Sequence, residues 1–219
     1  MYQKKTRPKE RSPLVIHDNP FYNRSLLQKP VTEAYYALKG SEPMRQTRTS
    51  LLVTAALMTA LIAVCAQISM PVPPVPASMS IFAVLLCGAL LGPRWGACAV
   101  GSYVFMGAIG LPVFAGFHGG PNVLFGPTGG YLIGYILCAG TAGFLARKLP
   151  CTVWCLLAAM ALALPLCYVP GMLWMKFITG TDWFSAAVAG VIVFLPGDLI
   201  TALLASLLAV RLKKTLALH

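Results

Sequence analysis

The 219-residue chain is 58% hydrophobic and only 11% charged, whereas soluble domains average roughly 25% charged residues. This composition excludes an ordinary soluble domain and indicates an integral membrane protein. The formal net charge of +11 is unevenly distributed along the chain. No basic stretch with interleaved aromatic residues accompanies it, which argues against nucleic-acid binding.

Residues 1–49 read as a basic, mostly irregular arm. The arm holds ten basic and four acidic side chains, and five prolines are spread along it. Prolines at that density forbid a long helix. Because basic segments flank membranes on the cytoplasmic side, we expect a cytoplasmic arm in contact with membrane lipid.

Apolar stretches follow the arm and predict an all-α integral membrane protein with six transmembrane helices. The backbone must be helical there, because lipid offers no partner for unpaired backbone groups. A proline-rich loop at 70–79, a turn at 92–96 and a glycine-rich loop at 115–130 separate some of the spans. The predicted membrane domain covers 50–212, with spans at 50–69, 80–91, 95–114, 131–145, 151–174 and 183–210.

Positive charges mark one side of the predicted bundle. With six spans, every Lys and Arg flanking the apolar stretches falls on the same side, apart from Lys176, which lies at the end of the fifth span. The loops on the other side contain no Lys or Arg. Cytoplasmic loops carry an excess of these residues, so both termini should be cytoplasmic, including a tail at 213–219. The chain is thus predicted to be a multi-pass protein of the cell membrane.

The sequence lacks the residues that an intramembrane enzyme would need. Aspartyl proteases require two carboxylates at one site, and Asp182 lies sixteen residues before Asp198. No nucleotide-binding loop occurs, so the chain cannot hydrolyse ATP alone. Cys151 and Cys155 share a helix face, but without a nearby histidine or acid they favour packed thiols over a metal site. We therefore predict no enzyme, no metal and no cofactor.

Asp198 stands inside the apolar run at 191–210, directly after Pro196 and Gly197. An ionisable group within a span is a functional candidate, because leaving it unpaired in lipid is costly. Two roles remain open at this point. The carboxylate could cap a helix that begins after the Pro-Gly pair, or it could also accept hydrogen bonds from a polar solute that carries N–H groups.

Small residues recur four positions apart on two predicted helices. Ala56 and Ala60 lie on the first, and Ala97 and Gly101 lie on the third. This spacing allows two helix backbones to approach closely. The residues could pack inside the bundle or dock to a partner protein.

Four segments of the membrane part stand out together, namely PVPPVPASMSIFAVLLCGALLGPRWG, GAIGLPVFAG, GPTGGYLIGY and FLPGDLITALLA. In order and spacing they resemble the BioY family, the biotin-specific substrate-binding (S) components of energy-coupling factor (ECF) transporters. The resemblance covers about residues 50–212. It implies a six-helix S component that captures biotin from the outer side as a transported ligand. It also implies two kinds of partner, a transmembrane coupling protein that would dock on the small-residue faces and a pair of cytoplasmic ATP-binding-cassette ATPases.

The resemblance also implies binding residues. It places Asp198 at the biotin site, with Thr128, Gly129 and Tyr131 near it. Thr201 stands where the family usually has a lysine that would pair with a substrate carboxylate, and a hydroxyl supplies no charge.

Lys176 is a candidate for the missing cation, although it could equally extend toward the membrane interface. Phe117, Tyr131 and Trp174 are expected as apolar walls of the pocket. Asn122 of the glycine-rich loop is a further candidate substrate-binding residue. Because of Thr201, an S component for another small vitamin remains an alternative. A membrane assembly protein that binds no solute is the alternative from a different class.

Overall fold

The computed structural model describes residues 48–70 and 75–216, and it does not describe the side chains of residues 215 and 216. The predictions for residues 1–47 and for the end of the tail lie outside the described residues. Most of the described chain is helical. It also contains loops between the helices and two very short strands, which pair antiparallel with Ser69 opposite Ser78.

Among the described residues, five helical stretches are long and apolar enough to cross a membrane, namely Arg48–Gln67, Ser80–Ala108, Gly129–Lys148, Val153–Thr179 and Trp183–Lys214. The elements are α1 Arg48–Gln67, β1 Ser69–Met70, β2 Ala77–Ser78, α2 Ser80–Ala108, a 3-10 turn Ala115–Phe117, α3 Pro121–Leu124, α4 Gly129–Lys148, α5 Val153–Thr179, α6 Trp183–Ala187, a π-helical turn Val188–Ile192 and α7 Leu195–Leu216.

Helix α2 contains both the second and the third predicted span and reverses direction between them. Gly92 has φ 80° and ψ −175°, which is not helical, and Pro93 follows it. A Cβ placed on Gly96 would lie 2.9 Å from the Cα of Gly88, whereas a continuous helix separates residues eight apart by about 12 Å. The chain therefore doubles back at Gly92 into two limbs, residues 80–91 and residues 93–108. The turn predicted at 92–96 is found at this reversal.

The reversal in α2 is held by α4. The guanidinium of Arg147 lies against Gly92, and its Nη2 donates a hydrogen bond to the Leu91 carbonyl at 3.2 Å. Gly88 allows the two helices to approach, since a Cβ there would lie only 2.4 Å from the Ala139 carbonyl oxygen. Helix α2 is thus the centre of the fold, and it packs on α1, α4 and α7.

The last apolar stretch is interrupted earlier than the sequence indicated. The π-helical turn and residues 193–194 precede α7, and Pro196 lies in the first turn of that helix, where proline is tolerated. The Asp198 N–H donates to the Phe194 carbonyl at 2.9 Å, as in a continuing helix. The expectation that Pro196 and Gly197 themselves interrupt the stretch is therefore wrong.

Candidate functional site

A cavity of about 760 Å³ opens between the short strands, α2, α4, α5, α7 and the loop after α2. Ligand pockets for small molecules usually measure about 300 to 1,000 Å³. Apolar side chains such as Phe114, Leu132 and Phe194 form much of its wall. The polar or ionisable side chains of the lining are Ser69, Ser78, Ser80, Tyr103, His118, Asn122, Thr128, Tyr131, Tyr135, Cys167, Tyr168, Asp198 and Thr201.

Asp198 and Tyr168 both line the cavity and are hydrogen-bonded to each other. The Tyr168 hydroxyl of α5 donates a hydrogen bond to Oδ2 of Asp198 at 2.5 Å. Tyr168 is buried and Asp198 is half-buried, so this bond offsets part of the cost of removing a charge from water. A carboxylate can accept about four hydrogen bonds. Asp198 can therefore still accept hydrogen bonds from a ligand. Its side-chain hydrogen bond is to Tyr168 and not to the backbone at the start of the helix.

Three hydroxyls form a second polar group in the lining. Ser78 Oγ lies 2.6 Å from Ser80 Oγ, and Ser80 Oγ lies 2.9 Å from the Tyr135 hydroxyl. Three hydroxyls supply three O–H donors, and the two bonds between them use two. One donor is left for a ligand atom that accepts a hydrogen bond.

Gln67, at the end of α1, holds the loop at residues 114–118. Its Nε2 donates to the Phe114 carbonyl at 3.2 Å, and its Oε1 accepts from the Phe117 N–H at 2.9 Å. Phe117 has a positive φ of 58°, which is uncommon for a bulky residue. His118, next in the chain, places Nδ1 2.9 Å from the Ala115 carbonyl. This bracing fixes the loop beside the cavity.

The structure places several predicted site residues in the cavity. The Thr201 hydroxyl donates to the Asp198 carbonyl of its own helix at 3.0 Å. The Tyr131 hydroxyl donates to the Gly190 carbonyl at 2.9 Å. The O–H donors of both side chains are therefore already used within the protein. The predicted residues that line the cavity are Asn122, Thr128, Tyr131, Asp198 and Thr201.

Four other predicted residues do not line the cavity. Gly129 is buried against backbone, and the Phe117 side chain is 72% exposed. Trp174 is held beside the glycine-rich loop, because its Nε1 donates to a backbone carbonyl there at 3.0 Å. Lys176 lies near the end of α5 with Nζ 3.3 Å from the Trp183 ring centroid. Lys176, the predicted candidate for the cation of the site, therefore does not line this cavity.

The small residues singled out for docking lie on two packed helices. Ala56 and Ala60 are exposed on α1, whereas Ala97 and Gly101 are half-buried on α2. A Cβ on Gly101 would meet nothing within 4 Å. Within the part of the chain that the structure describes, Ala56, Ala60 and Gly101 therefore leave open space, whereas Ala97 lies near Gly140 of α4.

Comparisons with known proteins agree on one family. The family model described as the BioY family matches residues 39–218. The biotin transporter BioY of Thermotoga maritima is 45% identical over 163 residues, which are 74% of this chain and 95% of the relative. A probable biotin transporter BioY of Pyrococcus horikoshii is 38% identical over 158 residues, 72% of this chain and 93% of the relative.

A solved structure supports the same assignment. It is described as the S-component for biotin from an ECF-type ABC transporter, and it matches with a TM-score of 0.72 and 29% identity over 77% of this chain and 95% of that chain. These comparisons confirm the predicted family, a multi-pass protein of the cell membrane and a transporter component rather than an enzyme. The chain belongs to the BioY family.

Proposed function

We propose that the chain is the biotin-binding S component of an ECF-type vitamin transporter and captures biotin from the outer side of the membrane. The observation that carries the proposal is a cavity of ligand size containing a half-buried carboxylate, Asp198, in a chain of this family. No cofactor is part of the proposal, and biotin is the transported ligand.

The chemistry of biotin fits the two polar groups of the lining. Its ureido ring carries two N–H donors and one carbonyl acceptor. Asp198 accepts from the N–H groups with the capacity that Tyr168 leaves unused. The remaining O–H donor of the group Ser78, Ser80 and Tyr135 serves the ureido carbonyl. The thiophane ring and the aliphatic chain pack on the apolar wall.

The proposal includes six membrane crossings. The two limbs of α2 hold 12 and 16 residues in the ranges 80–91 and 93–108, which correspond to about 18 and 24 Å of helix. Each limb passes through most of a hydrocarbon core of about 30 Å. Counting the limbs separately, the chain crosses the membrane six times.

Cytoplasmic termini are also proposed. Arg147 at the end of α4 bonds the turn of α2 at Leu91, and Lys213 of α7 donates to the neighbouring Ala146 carbonyl at 3.2 Å. Basic residues of α4 and α7 therefore gather with the turn of α2 at one end of the bundle, as expected for the cytoplasmic side. A membrane-impermeant thiol reagent should then label the exposed Cys151 in inside-out vesicles and not in right-side-out vesicles, in a variant whose other exposed cysteine, Cys98, is alanine.

The partners proposed are an ECF coupling protein and a pair of ATP-binding-cassette ATPases. The sequence has no nucleotide-binding loop, so any ATP hydrolysis that drives uptake would be carried out by other subunits. The exposed pair Ala56 and Ala60 on α1, with Ala97 and Gly101 on α2, offers a surface on which another helix can pack closely.

Competition binding tests the proposed function. Membranes containing the full chain are incubated with labelled biotin, and unlabelled biotin, thiamine and riboflavin are added separately as competitors. Only unlabelled biotin should displace the label. Displacement by another vitamin would favour an S component of different specificity. This alternative is tested because Thr201 stands where the family usually has a lysine. No saturable binding by folded protein would favour a membrane assembly protein that binds no solute.

A further inference from the structure

We propose that His118 binds the ligand carboxylate at the opening of the cavity. This inference rests on the proposed function, since it concerns the acidic side chain of biotin. It assigns a role to a residue that the sequence did not single out, and three observations carry it: the charges of the lining, the hydrogen bond of the imidazole and the position of the loop.

The charges of the lining require a cation. Biotin carries a carboxylate, and the cavity already contains the carboxylate of Asp198. Among the described lining residues there is no Lys or Arg, and His118 is the one basic side chain. The segment 71–74, which the structure does not describe, is Pro-Val-Pro-Pro and adds none. An anionic ligand therefore meets one group in this lining that can become positively charged.

The hydrogen bond of the imidazole sets the orientation of that charge. Nδ1 lies 2.9 Å from the Ala115 carbonyl, and a carbonyl oxygen can only accept, so Nδ1 carries the proton. The other ring nitrogen, Nε2, takes no part in this hydrogen bond. In the protonated imidazole, Nε2–H donates a charge-assisted hydrogen bond to a carboxylate.

The position of the loop suits the far end of the ligand. Biotin carries its ureido ring and its carboxylate at opposite ends. Asp198 is half-buried among the helices, whereas His118 is exposed on the loop that Gln67 holds from α1. A molecule with its ureido ring at Asp198 therefore extends its carboxylate toward His118. Because Gln67 fixes the loop, little conformational freedom is lost when the carboxylate binds.

Two ligands that differ only in charge separate this role from a general effect on the pocket. Biotin and biotinamide, in which the carboxylate is a neutral amide, are titrated into the detergent-purified full chain at about pH 6. The wild-type chain should prefer biotin by about tenfold. His118→Ala should weaken biotin by about tenfold and change biotinamide by less than about twofold.

Two further variants complete the test. His118→Lys keeps a positive charge at the same place and should retain the preference for biotin. Lys176→Met removes a cation that lies outside the cavity and should behave as wild type. Equal weakening of both ligands by His118→Ala, or a preference for biotin that survives it, would overturn the inference. Binding of neither ligand to the wild-type chain would instead refute the proposed function. If His118→Ala does not fold, a loss of the preference in His118→Lys would also overturn the inference.

Discussion

Replacing Asp198 by asparagine should separate ligand binding from stability. Asparagine has nearly the same shape, and its carbonyl can still accept the hydrogen bond that Tyr168 now gives to the carboxylate at 2.5 Å. What it loses is the negative charge, and its NH₂ group would compete for the place of a ligand N–H. The variant therefore keeps the contact within the protein and removes the contact proposed for biotin.

The expected magnitudes follow from this geometry. Hydrogen bonds to charged groups contribute about 1.5–3 kcal/mol, so biotin should bind about 10- to 150-fold more weakly to Asp198→Asn. The free energy of unfolding should be unchanged or should rise by up to about 1 kcal/mol, because a half-buried charge is replaced by a neutral amide. We therefore expect Asp198→Asn to bind biotin more weakly while its free energy of unfolding stays equal or increases.

Equilibrium binding of biotin and thermal unfolding without ligand, both in detergent, measure the two quantities. Asp182→Asn is the matched control, because Asp182 is exposed before α6 and makes no side-chain cap hydrogen bond. It should bind biotin as the wild type does. If Asp198→Asn keeps its affinity within about twofold and loses more than about 2 kcal/mol of stability, the carboxylate holds the fold and the reasoning is refuted.

Four other variants test the fold and the partners. Gly92→Ala should lower the free energy of unfolding by about 1–3 kcal/mol, because φ 80° strains an alanine and its Cβ would overlap a guanidinium. Gly101→Ala should be neutral in thermal unfolding, and equal unfolding temperatures for the two variants would contradict the reversal in α2. Tyr131→Phe should cost about 1 kcal/mol by the loss of its hydrogen bond to a carbonyl, and an unchanged unfolding temperature would count against that contact. Leucine at both Ala56 and Ala60 should leave biotin binding by the purified chain intact and abolish uptake with the coupling protein and ATPases, whereas normal uptake would exclude this docking surface.

Much of the fold could be predicted from the sequence because lipid imposes few solutions on an apolar chain. Hydrophobic length located the helices, and a glycine-proline pair marked the reversal of α2 at Gly92. The last helical stretch was harder to predict. Its interruption is a π-helical turn at Val188–Ile192, where no proline marks the sequence, while the visible Pro196 fits inside the first turn of α7.

The candidate site could be predicted only where one residue type stood out. Asp198 was found because a carboxylate is rare in an apolar run. Its partner Tyr168 lies thirty residues away on another helix, and no spacing in the sequence reveals that pair. The same holds for Ser80 and Tyr135, fifty-five residues apart. For Lys176, the sequence gives the charge but not the Trp183 ring on which the side chain packs outside the cavity.

Titration of biotin into the detergent-purified full chain tests the central claim most directly. The account predicts saturable binding of one biotin per chain with a dissociation constant below about 1 μM, corresponding to more than about 8 kcal/mol. Thermal unfolding in the same detergent shows that the protein titrated is folded, and its unfolding temperature should rise when biotin is added. A folded chain that binds no biotin and shows no such rise would contradict the account.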